Sequence, residues 1–146
     1  MSISQPPIGY QFHNESLLQN ALTHSSYANE NREKGVHSNE RLEFLGDAVL
    51  GFICAEYIYE HFRSMPEGEL TKLRASIVCE KSLHEYALRL HLGEYLLLGH
   101  GEESGGGRQR PSVLADAVEA MLAAIYLDGG IRAAKGFILD YIKEKA

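Results

Sequence analysis

The chain holds only two cysteines, Cys54 and Cys79, and no Cys-x-x-Cys spacing. A disulfide framework is therefore excluded. Both cysteines sit among apolar residues, which predicts two buried thiols in a reducing cytoplasm. No apolar run is long enough to span a membrane. Met1–Tyr10 lacks the basic start and apolar stretch of a signal peptide. Strand-like alternation is scarce and β-branched content is modest, so little is left to build a sheet. No Gly-x-Ser-x-Gly elbow is present, which removes the serine-hydrolase reading of His24-Ser25-Ser26; a capping or packing role is expected there. The glycines between Gly99 and Gly107 lack a preceding strand and a Gly-Lys-Ser/Thr ending, so they form no phosphate loop. Basic charge is also short: 14 Lys and Arg stand against 20 Asp and Glu, for a net charge of −6. A dedicated nucleic-acid binder is usually basic, so the overall charge argues against one. That argument weakens if several of the acids hold metal.

What is present is helical periodicity. The 146 residues suit one compact domain. His13–Tyr27 reads as a helix capped by Asn14, with Leu17, Leu18, Ala21 and Leu22 on one face. Ala28–His37 is polar and reads as a loop. Ser38 or Asn39 can cap a long helix running to about Phe62. Pro66-Glu67-Gly68 breaks the pattern, and further helices are predicted over Glu69–Val78 and Glu80–Leu90. Gly93–Leu98 reads as an apolar link, and Gly99–Pro111 as a flexible loop carrying Arg108 and Arg110. Ser112 is expected to cap the apolar helix Val113–Leu127, which Asp128-Gly129-Gly130 should end. Ile131–Lys145 completes an all-α bundle of about six to eight helices.

Two of these helices carry acids in apolar surroundings. Glu40, Glu43 and Asp47 interrupt the run from Asn39 to Leu50. Asp116 and Glu119 are the only charges in Val113–Leu127. Carboxylates are almost never buried without a partner, and Arg41 is the only cation in either segment. At about 100° per residue, Glu40, Glu43 and Asp47 fall within about 60° of one another on a helix. Asp116 and Glu119, at i and i+3, share a face in the same way. If the two helices pack side by side, the acids must take up protons or a cation. All-oxygen ligands suit Mg²⁺ or Mn²⁺, and no His or Cys lies on either stripe to favour zinc. Mg²⁺ on an acid cluster points to phosphate chemistry. Gly46 and Gly51 lie inside the long helix at a cost of roughly 1 kcal/mol each. Both are expected where another backbone or a ligand comes close.

Asn39-Glu-Arg-Leu-Glu-Phe-Leu-Gly-Asp47 resembles the signature of the ribonuclease III nuclease domain. Ala21-Leu-Thr-His-Ser-Ser-Tyr27, Glu67-Gly-Glu-Leu-Thr-Lys-Leu-Arg-Ala75, Leu114-Ala-Asp-Ala-Val-Glu-Ala120 and Ala124-Ile-Tyr-Leu-Asp128 resemble further blocks of that family, in the same order. The resemblance covers nearly the whole chain. It implies that residues 1–146 form a homodimeric all-α catalytic domain of the bacterial type. The implied activity is Mg²⁺-dependent cleavage of double-stranded RNA, with Mn²⁺ able to substitute. Products would carry 5′-phosphate and 3′-hydroxyl ends with short 3′ overhangs, in rRNA and mRNA processing and decay. The resemblance makes Glu43, Asp47, Asp116 and Glu119 the metal-site carboxylates, with Asp47 and Glu119 closest to catalysis. Glu40 and Glu67 become auxiliary acids near the dimer interface and the RNA path. Phe44 becomes a side chain that docks on the partner subunit. Lys72, Arg74, Arg108 and Arg110 are candidate RNA contacts. The bacterial enzyme carries a C-terminal RNA-binding domain, and no part of this chain resembles one. RNA affinity is thus expected to be weak and salt-sensitive. The competing readings are a non-cutting RNA-binding or dimerisation module on the same fold, and a nuclease acting on single strands or DNA. Retention of all six acids speaks against the first; the acid stripes alone do not address the second.

Overall fold

The computed structural model describes residues 5–146; Met1 to Ser4, part of the segment read for a signal peptide, lie outside it. The helices are α1 (Glu15–Leu22), α2 (Ser25–Glu30), α3 (Glu40–His61), α4 (Glu67–Val78), α5 (Glu80–Arg89), α6 (His100–Ser104) and α7 (Pro111–Lys145). Short 3₁₀ turns cover Arg32–Lys34, Leu92–Tyr95 and Gly107–Gln109. The expected all-α bundle is therefore present. Among the described residues, no helix is long and apolar enough to cross a membrane.

Helix α7 is the axis of the bundle. From Val113 to Ile125 every residue but Asp116 and Glu119 is buried. A helix that is apolar all round must be enclosed by others. Here α3 supplies the largest neighbouring surface, with α5 and α1 on other sides and α4 resting against α3. The expected stop at Asp128-Gly129-Gly130 is a kink. Gly130 has φ 84° and ψ −177°, a conformation closed to side-chain-bearing residues, and the chain re-enters a helix at once. Asp128, just before the kink, ties down the chain ahead of α1. It accepts from the Tyr10 hydroxyl at 2.6 Å and from the backbone N–H groups of His13 at 2.8 Å and Asn14 at 3.0 Å. Burial alone would raise its carboxyl pKa; these donors outweigh it and hold the value at about 2.

Several expectations need correction. The single helix expected over His13–Tyr27 is two, broken at Thr23 and His24, whose backbones are extended. The cause is tertiary: His24 N–H donates to the Leu97 carbonyl, Leu97 N–H to that of Leu22, and Asn39 N–H to that of Thr23. Those partners replace the helical ones. Ala28–Glu30, expected in a loop, finish α2. α4 begins at Glu67 directly after Pro66, not at Glu69. α7 begins at Pro111, a residue suited to a first turn, so Ser112 is not its cap. Gly99–Pro111, expected as a loop, holds α6 and the 3₁₀ turn Gly107–Gln109 and is bonded to α2. The Gly99 N–H donates to Ser26 Oγ at 2.8 Å, and the His100 N–H to Glu30 at 2.6 Å. Cys54 is buried as expected, but Cys79, between α4 and α5, is exposed.

The two helix-interior glycines divide. A Cβ on Gly46 would run into the backbone carbonyl of Glu119, so α3 and α7 touch backbone to backbone there. Gly51 has nothing within 4 Å among the described residues, so no other part of this chain approaches it. Gly46→Ala should therefore destabilise the protein despite the better helix propensity of alanine. A loss of about 1–3 kcal/mol is expected, the usual cost of overpacking. Gly136→Ala, at an exposed helical site with open space around it, should instead gain up to about 1 kcal/mol. Denaturant unfolding of the two variants checks the contrast.

Candidate metal centre

The crossing at Gly46 decides where the acids go. Glu43 and Asp47 flank Gly46 on α3, one turn apart, and Glu119 is the residue whose backbone Gly46 meets. Asp116 lies one turn earlier on α7. Ligand oxygens of Glu43, Asp116 and Glu119 all fall within 4.8 Å of one another, and each residue is half-buried. Asp47 is more exposed and stands just outside this group, as a hydrogen-bonding neighbour of Glu119.

Three carboxylates cannot all stay charged so close together in a partly desolvated place. Burial, with Asp47, Asp116 and Glu43 nearby, pushes Glu119 up to about 8. Burial and the charges of Asp116, Glu40 and Asp47 push Glu43 up to about 7. Burial raises Asp116 as well, with Glu43 beside it acting in the opposite direction. A cation would remove this conflict. The donor set is all oxygen, which fits a hard divalent ion.

Other expected residues are more scattered. Glu40 is exposed in the first turn of α3, bonded to Ser38 Oγ at 3.0 Å. Glu67 starts α4 and lines a separate groove with Phe52, Tyr59 and Arg74; the chain does not bring it to the carboxylate group. Phe44 is 83% exposed, which rules out a core role within this chain. Arg108 spends its guanidinium on Glu103 and on the Gly93 and Leu96 carbonyls, and Arg110 pairs with Glu102. Lys72 and Arg74 are exposed on α4, with no ion-pair partner among the described residues.

His24, which the family resemblance puts near the active-site region, stands near Asp116, Glu40 and Arg110, and burial lowers its pKa. One neighbour of the group was not anticipated: Glu80, at the start of α5, adds its charge to Asp116. No periodicity could signal it, since it arrives from a different element.

The family model described as Ribonuclease-III-like matches residues 14–146. The chain belongs to the ribonuclease-III-like family. It is 54% identical over 137 residues to Ribonuclease 3 of Caldanaerobacter subterraneus subsp. tengcongensis, covering 94% of this chain and 60% of that protein. It is 53% identical over 141 residues to Ribonuclease 3 of Bacillus licheniformis, covering 97% and 57%. The chain thus spans a little over half the length of these curated relatives. Its structure superposes on the nuclease domain of Campylobacter jejuni ribonuclease III with a TM-score of 0.86, at 43% identity, covering 94% of this chain and 92% of that one. A Dicer from Pichia stipitis shares the fold, with a TM-score of 0.64 at 22% identity, over 96% of this chain and 61% of that one.

The raised carboxyl values set a testable pH dependence. A carboxyl raised in the folded state makes that state hold more protons than the unfolded chain between the two values. Stability then falls as pH rises from about 4.5 through 7 to 8. Metal-free protein should lose melting temperature across this window. Mg²⁺ or Mn²⁺ should restore it, more at pH 8 than at pH 5. Glu119→Gln should flatten both responses. Thermal melts in EDTA and in metal, from pH 5 to 8.5, provide the measurement.

Proposed function

We propose that the chain is a Mg²⁺-dependent endonuclease domain that cuts double-stranded RNA. One observation carries this reading: Glu43, Asp116 and Glu119 converge, with Asp47 beside them, on a chain 54% identical to a protein named Ribonuclease 3. Glu43, Asp47, Asp116 and Glu119 hold the metal, and Asp47 and Glu119 act nearest the scissile phosphate. The metal supplies positive charge that activates water and stabilises the departing oxygen. Mn²⁺, with similar ligand preferences, substitutes. Attack is in line, leaving 5′-phosphate and 3′-hydroxyl ends. Glu40 and Glu67 are auxiliary acids. Exposed Lys72 and Arg74 meet RNA phosphates, while Arg108 and Arg110 reach them only by giving up partners inside the chain. A-form RNA is recognised by shape and 2′-hydroxyls, and binding weakens steeply with salt.

Cleavage of long double-stranded RNA in Mg²⁺ tests the site. Asp47→Asn and Glu119→Gln should each lower the rate by more than about 100-fold, beyond the usual effect of an outer-shell ligand. Full activity in both variants would overturn the assignment. Binding without cutting by the unmodified chain would favour the non-cutting module instead.

The chain works as a homodimer. Phe44, at 83% exposure, forms one wall of a groove whose apolar lining also includes Leu17, Leu42, Leu45 and Leu127, with Glu40 and Arg41 among its polar residues, and Leu127 is itself 52% exposed. A side chain next to an apolar groove on the same face suits a two-fold contact, in which each copy fills the other's groove. Exposed Phe52 and Tyr126 extend the apolar face. A Campylobacter jejuni nuclease-domain structure is described in terms of a region involved in dimer formation. Light scattering should give twice the 16.3 kDa chain mass at micromolar concentration, and Phe44→Asp should give the single-chain mass. A monomeric wild type would sink this part.

A further inference from the structure

His24 combines a fixed proton position with a place at the rim of the carboxylate group. The ring caps α2: its Nδ1 accepts the Ser26 backbone N–H at 3.1 Å. The Ser26 Oγ lies 2.8 Å from the same nitrogen and itself accepts the Gly99 N–H at 2.8 Å. The serine hydroxyl hydrogen is therefore free to point at Nδ1. A backbone N–H can only donate, so Nδ1 must present its lone pair. The ring proton then sits on Nε2, as in any neutral imidazole whose Nδ1 accepts.

The opposite ring edge is turned away from Ser26. The charged groups around the ring are Asp116, Glu40 and Arg110. His24 is not among the residues whose ligand atoms gather within 4.8 Å, so it stands beside the group without joining it. Arg110 is occupied by Glu102. A phosphate brought over three carboxylates needs donors as well as a cation. His24 offers one that carries no charge and has no hydrogen-bond partner on Nε2 among the described residues.

We propose that His24 donates its Nε2–H to a phosphate oxygen of the RNA strand held over Glu43, Asp116 and Glu119. This rests on the reading of that group as an RNA-cutting centre. Ser26 and Gly99 are positioning groups: they hold the tautomer, and through it the direction of the donor.

The two roles of the ring separate by substitution. Asparagine can replace Nδ1 as an α2 cap with its Oδ1 but has no donor in place of Nε2. Glutamine reaches the Nε2 position with an amide N–H but is a poor cap. His24→Asn should keep the wild-type melting temperature and lose about 10- to 100-fold in kcat/KM on long double-stranded RNA, the size expected for one hydrogen bond to a charged group. His24→Gln should recover part of that loss while melting lower. Wild-type cleavage rate in His24→Asn would overturn the proposal. A second measurement needs no activity. In ¹⁵N-histidine-labelled wild type, NMR should show Nδ1 unprotonated and Nε2 protonated. The Nε2 signal should shift when an RNA duplex is added in Ca²⁺, another hard oxygen-seeking ion. An unmoved Nε2 signal with bound RNA would also overturn the proposal. If the wild type does not cut RNA at all, the reading of the centre fails, and this NMR response still decides the role of His24.

Discussion

The backbone contact between Gly46 and Glu119 is the constraint from which the rest of the site follows. Helices packed through side chains usually run 8–10 Å apart. A glycine facing a carbonyl lets α3 and α7 come closer than most side chains allow. Glu43, one turn before Gly46, and Asp116, one turn before Glu119, are thereby brought against Glu119 itself. Asp47, next to Gly46, stands beside the three. The acid group is thus a consequence of a close helix crossing rather than of any flexible segment. Its geometry is as rigid as the core beneath it.

That rigidity carries a cost. Inside an otherwise fully apolar stretch of α7, two acids sit where alanine or leucine would stabilise the bundle. Burial and mutual repulsion drive Glu43 and Glu119 toward neutrality in the metal-free chain. The surrounding core offsets this: Leu114, Val118, Met121 and Leu122 are at most 2% exposed. Strain placed at a site and supported by tight packing elsewhere is the usual signature of function over stability.

The helices with strong periodicity were readable from the residues, and so was the confrontation of the two acid faces. Carboxylates in an apolar run are costly enough to stand out without any coordinates. Gly46 was readable for the same reason, as an anomaly in a long helix. What escaped was everything decided by contacts distant in the chain. Thr23 and His24 leave the helix because Leu97 and Asn39 bond their backbone, and no local pattern records those partners. Gly99–Arg110 looked mobile because its composition is polar and glycine-rich. Ser26, Glu30 and the guanidinium of Arg108 hold it in place instead. Cys79 looked buried from its neighbours, but it occupies the turn between α4 and α5. Glu67 matched a motif, yet within one chain it faces a different groove from the other acids.

α3 explains why one short segment bears so much. Glu43 and Phe44 are consecutive, so they diverge by about 100° around the helix axis. Glu43 and Asp47 turn toward α7, while Phe44, Ala48 and Phe52 turn outward, all of them exposed. No hinge or loop separates the two faces, and one helical turn advances only about 5.4 Å. Any contact made through Phe44 is therefore transmitted to the carboxylates by covalent geometry alone. Two copies meeting through this face would have the spacing of their acid groups set by a rigid helix on each side. Under the proposed reading, that fixed spacing would match the regular spacing of a duplex whose two strands are both cut.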